Sequence, residues 1–150
     1  MNKIKVKIFS KEYKMEELLP EYKTTGSAGM DLKAAITEPL IIKPQEIKLV
    51  PTGLGISLGN TNNVALVYAR SGLSSKYGIT MANSVGVIDS DYRGEIFCPL
   101  INLSNKEFIL KPLERMAQMV IAPILKPEIE VVEDLDETAR GHGGFGHTGR

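Results

Sequence analysis

The chain has 150 residues, and its 18 Lys plus Arg balance 18 Asp plus Glu, giving a formal net charge of zero. That length suits one domain with a proper core, and the balanced charge excludes a general attraction to nucleic acid or to an anionic membrane, leaving room only for a local basic pocket. The single cysteine, Cys98, excludes an intrachain disulfide and a multi-cysteine zinc site, and its apolar surroundings mark it as a buried, inert thiol.

At the N-terminus Ile4, Val6 and Ile8 alternate with Lys3, Lys5 and Lys7, the period of a half-exposed strand. There is no signal-peptide core and no apolar run long enough to span a bilayer, so a soluble, cytoplasmic protein is expected. Lys11 to Leu19 carries a weak helical bias. Short apolar segments follow at Leu40 to Ile42, Ile47 to Val50, Leu54 to Leu58 and Val64 to Tyr68, divided by Pro39, Pro44, Pro51, Gly53 and a Gly59-to-Asn63 turn. Further strands are expected at Glu95 to Asn102, Phe108 to Leu110, Arg115 to Pro123 and Glu128 to Val132, with a single helical turn near Leu73 to Lys76. Many short strands with regular turn signals predict an all-β fold, a sandwich, jelly roll or barrel. The β-rich domain covers 1–133, and 134–150 form a C-terminal arm, acidic at first and then rich in glycine.

Four stretches carry the chemistry. In the centre, Asn83 to Gly94 sets Asp89, Asp91 and Tyr92 between apolar arms, Val85 to Ile88 and Glu95 to Cys98, which reads as a β-hairpin with an unpaired acid at its tip. Earlier, Arg70-Ser71-Gly72 places a guanidinium, a hydroxyl and a glycine at a strand-to-helix junction, a geometry suited to phosphate and equally to a plain helix cap. In Leu113 to Val120, Arg115 and Gln118 interrupt an apolar strand. An arginine there needs an anion, either a carboxylate such as Asp31 or a ligand phosphate. The arm has five glycines between Gly141 and Gly149, with Arg140, Thr148 and Arg150 as donors and Phe145 as a stacking face. It is a solubilising tail or a wrap for an oxyanion and a base. His142 and His147 lack a second ligand at metal-binding spacing.

Five pieces in this order resemble the motifs of the trimeric dUTP pyrophosphatases, the dUTPases. They are Ala28-Gly29-Met30-Asp31-Leu32, Ala69-Arg70-Ser71-Gly72, Gly86 to Gly94, Glu114-Arg115-Met116-Ala117-Gln118 and Arg140 to Gly146. The resemblance implies a jelly-roll-like fold and a homotrimer whose active sites lie between subunits, each closed by a neighbour's arm. It implies hydrolysis of dUTP to dUMP and diphosphate by water attack at the α-phosphorus, which keeps uracil out of DNA and supplies dUMP for thymidylate. In that scheme Asp89 is the general base, Tyr92 packs on the deoxyribose and Asn83 reads the uracil. Arg70, Ser71, Gly72 and Gln118 hold phosphates, Arg140, His147 and Thr148 contact the outer ones from the arm, and Gly146 is a further substrate contact. Phe145 covers the base, while Asp31 and Arg115 support the site. Mg²⁺ is expected to be held by substrate phosphates and water, assisted by Asp31, with no direct protein ligand. No nucleic-acid or membrane partner is expected.

Two rivals remain. A dCTP deaminase of the same fold uses a glutamate in the strand after the third motif, where this chain reads Ile96-Phe97-Cys98-Pro99-Leu100. A catalytically idle nucleotide-binding protein would have lost the acid or the arm, and both are present.

Overall fold

The computed structural model describes residues 3–143. Their strands are β1 (Lys5–Ile8), β2 (Met30–Lys33), β3 (Leu40–Ile42), β4 (Ile47–Pro51), β5 (Leu54–Ser57), β6 (Asn63–Ala69), β7 (Ile79–Met81), β8 (Val85–Ile88), β9 (Phe97–Asn102), β10 (Phe108–Leu110) and β11 (Arg115–Pro123). Two short helices interrupt them, α1 (Met15–Leu18) and α2 (Ser71–Tyr77). The expected all-β architecture is what the chain forms.

All pairings are antiparallel. A four-stranded sheet runs β2-β11-β6-β8 and a three-stranded one β4-β9-β7, accompanied by the pairs β1-β5 and β10-β3. One core draws on all four sheets. Leu32, Ile42, Val50, Ile56, Val67, Leu100, Leu110 and Met119 are buried together. The alternation that marks these residues in sequence is therefore the inward half of each strand. Cys98 belongs to this core, and burial pushes its thiol up to about 12, so at neutral pH it is a packing group.

Three expectations need correction. Val85 to Ile88 and Glu95 to Cys98 are not the arms of one hairpin. β8 pairs with β6, whereas β9 pairs with β4 and β7, so residues 89–96 carry the chain from one sheet to the other. The apolar arms match two different partners better than they match each other. Glu128 to Val132 forms no strand; Ile129 and Val131 stand 92% and 93% exposed. Their alternation is real, but no neighbouring strand of this chain receives it. Ile79–Met81, missed in the sequence, is a strand that starts directly after the left-handed Gly78 cap of α2.

Candidate active site

Asp31, Arg70, Arg115 and Gln118 line one cleft and Asp89 lines another, at opposite edges of the four-stranded sheet. The first is built around Asp31 on edge strand β2. Register places Asp31 across from Gln118 on β11, and Gln118 across from Tyr68 on β6. A cleft of about 380 Å³ is lined by Asp31, Tyr68, Arg70, Arg115, Gln118 and Lys23, among others.

Arg115 and Gln118 are three residues apart, which in a regular strand would send them to opposite faces. The strand is not regular there. Arg115 pairs with Lys33 and Ala117 with Leu32, so Met116 is an extra residue in the ladder. This bulge restores Arg115 to the face of Asp31 and Gln118 and leaves Met116 and Ala117 both buried.

Asp31 is held at both oxygens. Arg70 Nε lies 3.0 Å from Oδ1 and Arg115 Nη1 donates to Oδ2 at 2.8 Å. The carboxylate is 13% exposed, against 26% for Arg70 and 44% for Arg115. Arg70 Nη1 also donates to the Arg115 carbonyl at 3.0 Å, locking the two guanidiniums to one frame. One carboxylate between two guanidiniums leaves the group one positive charge in excess, and both arginines line the cleft, an arrangement that can receive an anion. Gln118 Nε2 donates to the Ala69 carbonyl at 3.1 Å, while its Oε1 lies against Gly29, 3.0 Å from where a Cβ would sit.

Arg70 caps α2 in extended conformation, and its carbonyl receives the amides of Leu73 and Ser74. Ser71 and Gly72 thus head the helix with amides that have no helical acceptor. A Cβ on Gly72 would meet nothing within 4 Å, so the approach to these amides is open.

The second cleft, about 300 Å³, is lined by Asp89, Ser90, Asp91, Asn63, Val64, Thr61, Ile124 and Lys126. Asp89 follows β8, whose Ile88 stands across from Ala65. Asp89 is therefore level with Val64, six residues along β6 from Arg70, or about 20 Å at ~3.3 Å per residue. Its side chain is exposed and makes no hydrogen bond or ion pair among the described residues. The backbone around it is fixed. The Tyr92 amide donates to the Asp89 carbonyl at 3.1 Å, and Arg93 Nη1 donates to the carbonyls of Ser90 and Tyr92, both at 2.8 Å. Tyr92 Oη donates to the Glu95 carbonyl at 2.8 Å, which lays the ring over Gly94.

Asn83 lies at the other end of β8, beyond Val85 and Tyr68. Its Nδ2 comes back to Gly86, 3.7 Å from a Cβ position there. A nucleoside touching Asn83 and Asp89 must lie along β8. Arg140 is exposed in the arm, with Nε donating to the Gly143 carbonyl at 2.7 Å. Phe145, Gly146, His147 and Thr148 lie outside the described residues.

Sequence reasoning missed Arg93 and Glu95, which brace the Asp89 turn from within it. Their charge gave no clue, because both act on backbone groups. Among the described residues no three His, Cys, Asp or Glu side chains stand together as a metal cage, and no helix is long and apolar enough to cross a membrane.

The fold and the two clefts have the make-up of an all-β protein that handles a small anionic molecule. A family model for dUTPase matches residues 16–149. The deoxyuridine 5'-triphosphate nucleotidohydrolase of Herminiimonas arsenicoxydans is 47% identical over 150 residues, covering 100% of this chain and 99% of the relative. Two solved structures are similar: the dUTPase of Streptococcus mutans, with a TM-score of 0.73 and 35% identity over 82% of this chain and 98% of that one, and the dUTPase of Staphylococcus bacteriophage 80alpha with dUPNHPP, with a TM-score of 0.83 and 28% identity over all of both chains. The chain belongs to the dUTPase family.

Proposed function

We propose that this dUTPase hydrolyses dUTP to dUMP and diphosphate in an active site that two or more copies of the chain build together. The observation that carries the shared site is the separation of Asp89 from the Asp31 cleft by the length of β6. A base must come within hydrogen-bond reach of the water that it activates, and that water must stand in line with the leaving diphosphate. One chain cannot bring its own Asp89 to phosphates on its own Arg70. A neighbour's Asp89 can meet them, and a homotrimer closes such a ring of sites with no unpaired half.

In this reading Arg70, Gln118 and the amides of Ser71 and Gly72 receive the triphosphate, with Arg115 and Asp31 holding Arg70 in place. From the adjoining copy Asp89 orients the water at the α-phosphorus and takes its proton. Tyr92 fills the space beneath C2′ and refuses a ribose hydroxyl. Asn83 and the β8 backbone read the uracil. The arm from 134 onward contributes Arg140, Phe145, Gly146, His147 and Thr148, closing over base and outer phosphates. The exposed apolar side chains of Leu125, Ile129 and Val131 along its approach favour its lying on another subunit.

Mg²⁺ fits as a companion of the substrate. Both oxygens of Asp31 already receive guanidinium donors, so Asp31 is suited to reach the ion through water, and the triphosphate supplies the hard oxygen ligands. When bound, the ion neutralises charge on the phosphate oxygens. A cytoplasmic setting, where deoxynucleotides are made, goes with this activity.

The deaminase alternative has one nearby acid, Glu95, and its Oε1 accepts the Gly53 amide at 2.8 Å. The test is diphosphate release from dUTP with Mg²⁺, beside dCTP, dTTP and UTP. Turnover of dUTP far above the other three is expected; ammonia release from dCTP, or no reaction with dUTP, refutes the reading.

A further inference from the structure

We infer that Glu95 is a positioning residue for sugar selection: its carboxylate ties the segment that holds the Tyr92 ring to the buried Thr52–Gly53 corner. This rests on the reading of Tyr92 as the ring beneath the deoxyribose. The connection is continuous. Tyr92 Oη hangs from the Glu95 carbonyl at 2.8 Å, and Glu95 Oε1 accepts the Gly53 amide at 2.8 Å.

That amide cannot drift. Gly53 has φ +71, and a Cβ there would lie 2.6 Å from Cδ1 of the fully buried Leu18. The next residue is stitched to the same corner, since the amide and Oγ1 of buried Thr52 both donate to the Ile96 carbonyl, at 3.1 and 2.7 Å. On the ring side the fit is equally close. A Cβ on Gly94 would stand 2.4 Å from Tyr92 Oη, and one on Gly55 would stand 2.6 Å from the Gly94 carbonyl. The ring's height above the sheet is thus set by the backbone of residues 94–95, and among the described residues the only side-chain hydrogen bond tying those two residues to the corner is the one that the Glu95 carboxylate accepts from Gly53.

A steric filter tolerates little looseness, because a ring displaced by a fraction of an ångström admits the hydroxyl that it should refuse. Glu95→Ala removes the tie. Glu95→Asp keeps the charge but is one methylene too short, and Glu95→Gln retains an acceptor oxygen at the same reach.

The experiment compares kcat/KM for dUTP and UTP in these three variants, in Tyr92→Ala and in Tyr92→Phe with and without Glu95→Ala, with thermal midpoints recorded for each. Glu95→Ala is expected to narrow the dUTP preference by roughly tenfold. Glu95→Asp should narrow it less and Glu95→Gln should restore it. In the Tyr92→Phe background, Glu95→Ala should add little, because the hydroxyl through which it acts is gone. An unchanged ratio in Glu95→Ala, or in Glu95→Asp if the alanine variant does not fold, overturns the inference while Tyr92→Ala still narrows it. So does a lowered midpoint with equal losses on both nucleotides. If Tyr92→Ala leaves the ratio intact, the reading of Tyr92 itself falls.

Discussion

The Asp31 cleft and the Asp89 turn each present an aspartate at an edge of the same four-stranded sheet, and they differ in what holds the carboxylate. Asp31 sits within a strand, with a guanidinium on each oxygen. Asp89 sits just past a strand, where the Tyr92 amide holds its carbonyl, Arg93 holds the carbonyls of Ser90 and Tyr92 beside it, and the carboxylate meets no donor among the described residues. A carboxylate with an arginine donor on each oxygen is committed to positioning those two guanidiniums. One that is anchored through its main chain, with free lone pairs, can orient a water and take a proton. On the proposed reading, two identical side chains are divided into scaffold and base by their partners alone.

The largest effect expected from breaking this contrast is at Asp89. Asp89→Asn keeps the shape and removes the basic oxygen, so kcat should drop by about 10²–10⁴, the usual worth of a general base, while a non-hydrolysable dUTP analogue still binds. Arg70→Ala should lose activity through weakened phosphate binding. If the two clefts meet only between copies, then mixing these two inactive chains, dissociated and reassembled, should recover a measurable share of wild-type turnover, because some sites receive an intact Asp89 and an intact Arg70 from different chains. No recovery in assemblies shown by mass to be mixed would refute the shared site.

Asp31→Ala tests the scaffold half, and a smaller change is expected. It leaves two neighbouring guanidiniums with no anion between them. Because Arg115 is partly in solvent, the cost should stay nearer about 2 kcal/mol than the 3–5 kcal/mol of a fully buried pair. The thermal midpoint should fall by about 5 °C. KM for dUTP should rise more than kcat falls, since the arginines lose their aim but the base is untouched. A kcat loss as deep as that of Asp89→Asn would mean that Asp31 takes part in the chemistry, and the contrast would have to be redrawn.

Much of this arrangement was legible in the sequence. Leu40–Ile42, Phe108–Leu110 and Arg115–Pro123 fold over the expected ranges, each an apolar run entered from a proline or a charged residue, with Phe108–Leu110 alternating cleanly between core and solvent. Arg115 announced itself as a cation in need of an anion, and Asp31 is the carboxylate that it meets. The bulge at Met116 was not legible. An extra residue in a ladder is defined by the partner strand, and Leu32 and Lys33 lie more than eighty positions away. The supposed hairpin fails for the same reason: two apolar arms flanking a turn say that both are strands, not that they pair with each other. Ile129 and Val131 show the converse limit, a strand-like alternation for which this chain supplies no partner. The braces at Arg93 and Glu95 leave no pattern at all, since a side chain that bonds to backbone can be served by almost any neighbouring sequence.

The gentlest test of the contrast is Gly72→Ala, at the amide end of the Asp31 cleft. Nothing lies within 4 Å of the added methyl and the position needs no left-handed backbone, so folding should not suffer. Alanine in place of glycine favours a helix by up to about 1 kcal/mol, less in the first turn, so the thermal midpoint should hold or rise slightly. The methyl would, however, stand beside the amides of Ser71 and Gly72, where a phosphate oxygen must come within about 3 Å of nitrogen. KM for dUTP should therefore rise a few-fold in a protein that is no less stable, with the dUTP-to-UTP preference unchanged because Tyr92 belongs to the turn after β8, away from this helix end. An unaltered KM would show that the helix end is only a cap, leaving the phosphates to Arg70 and Gln118.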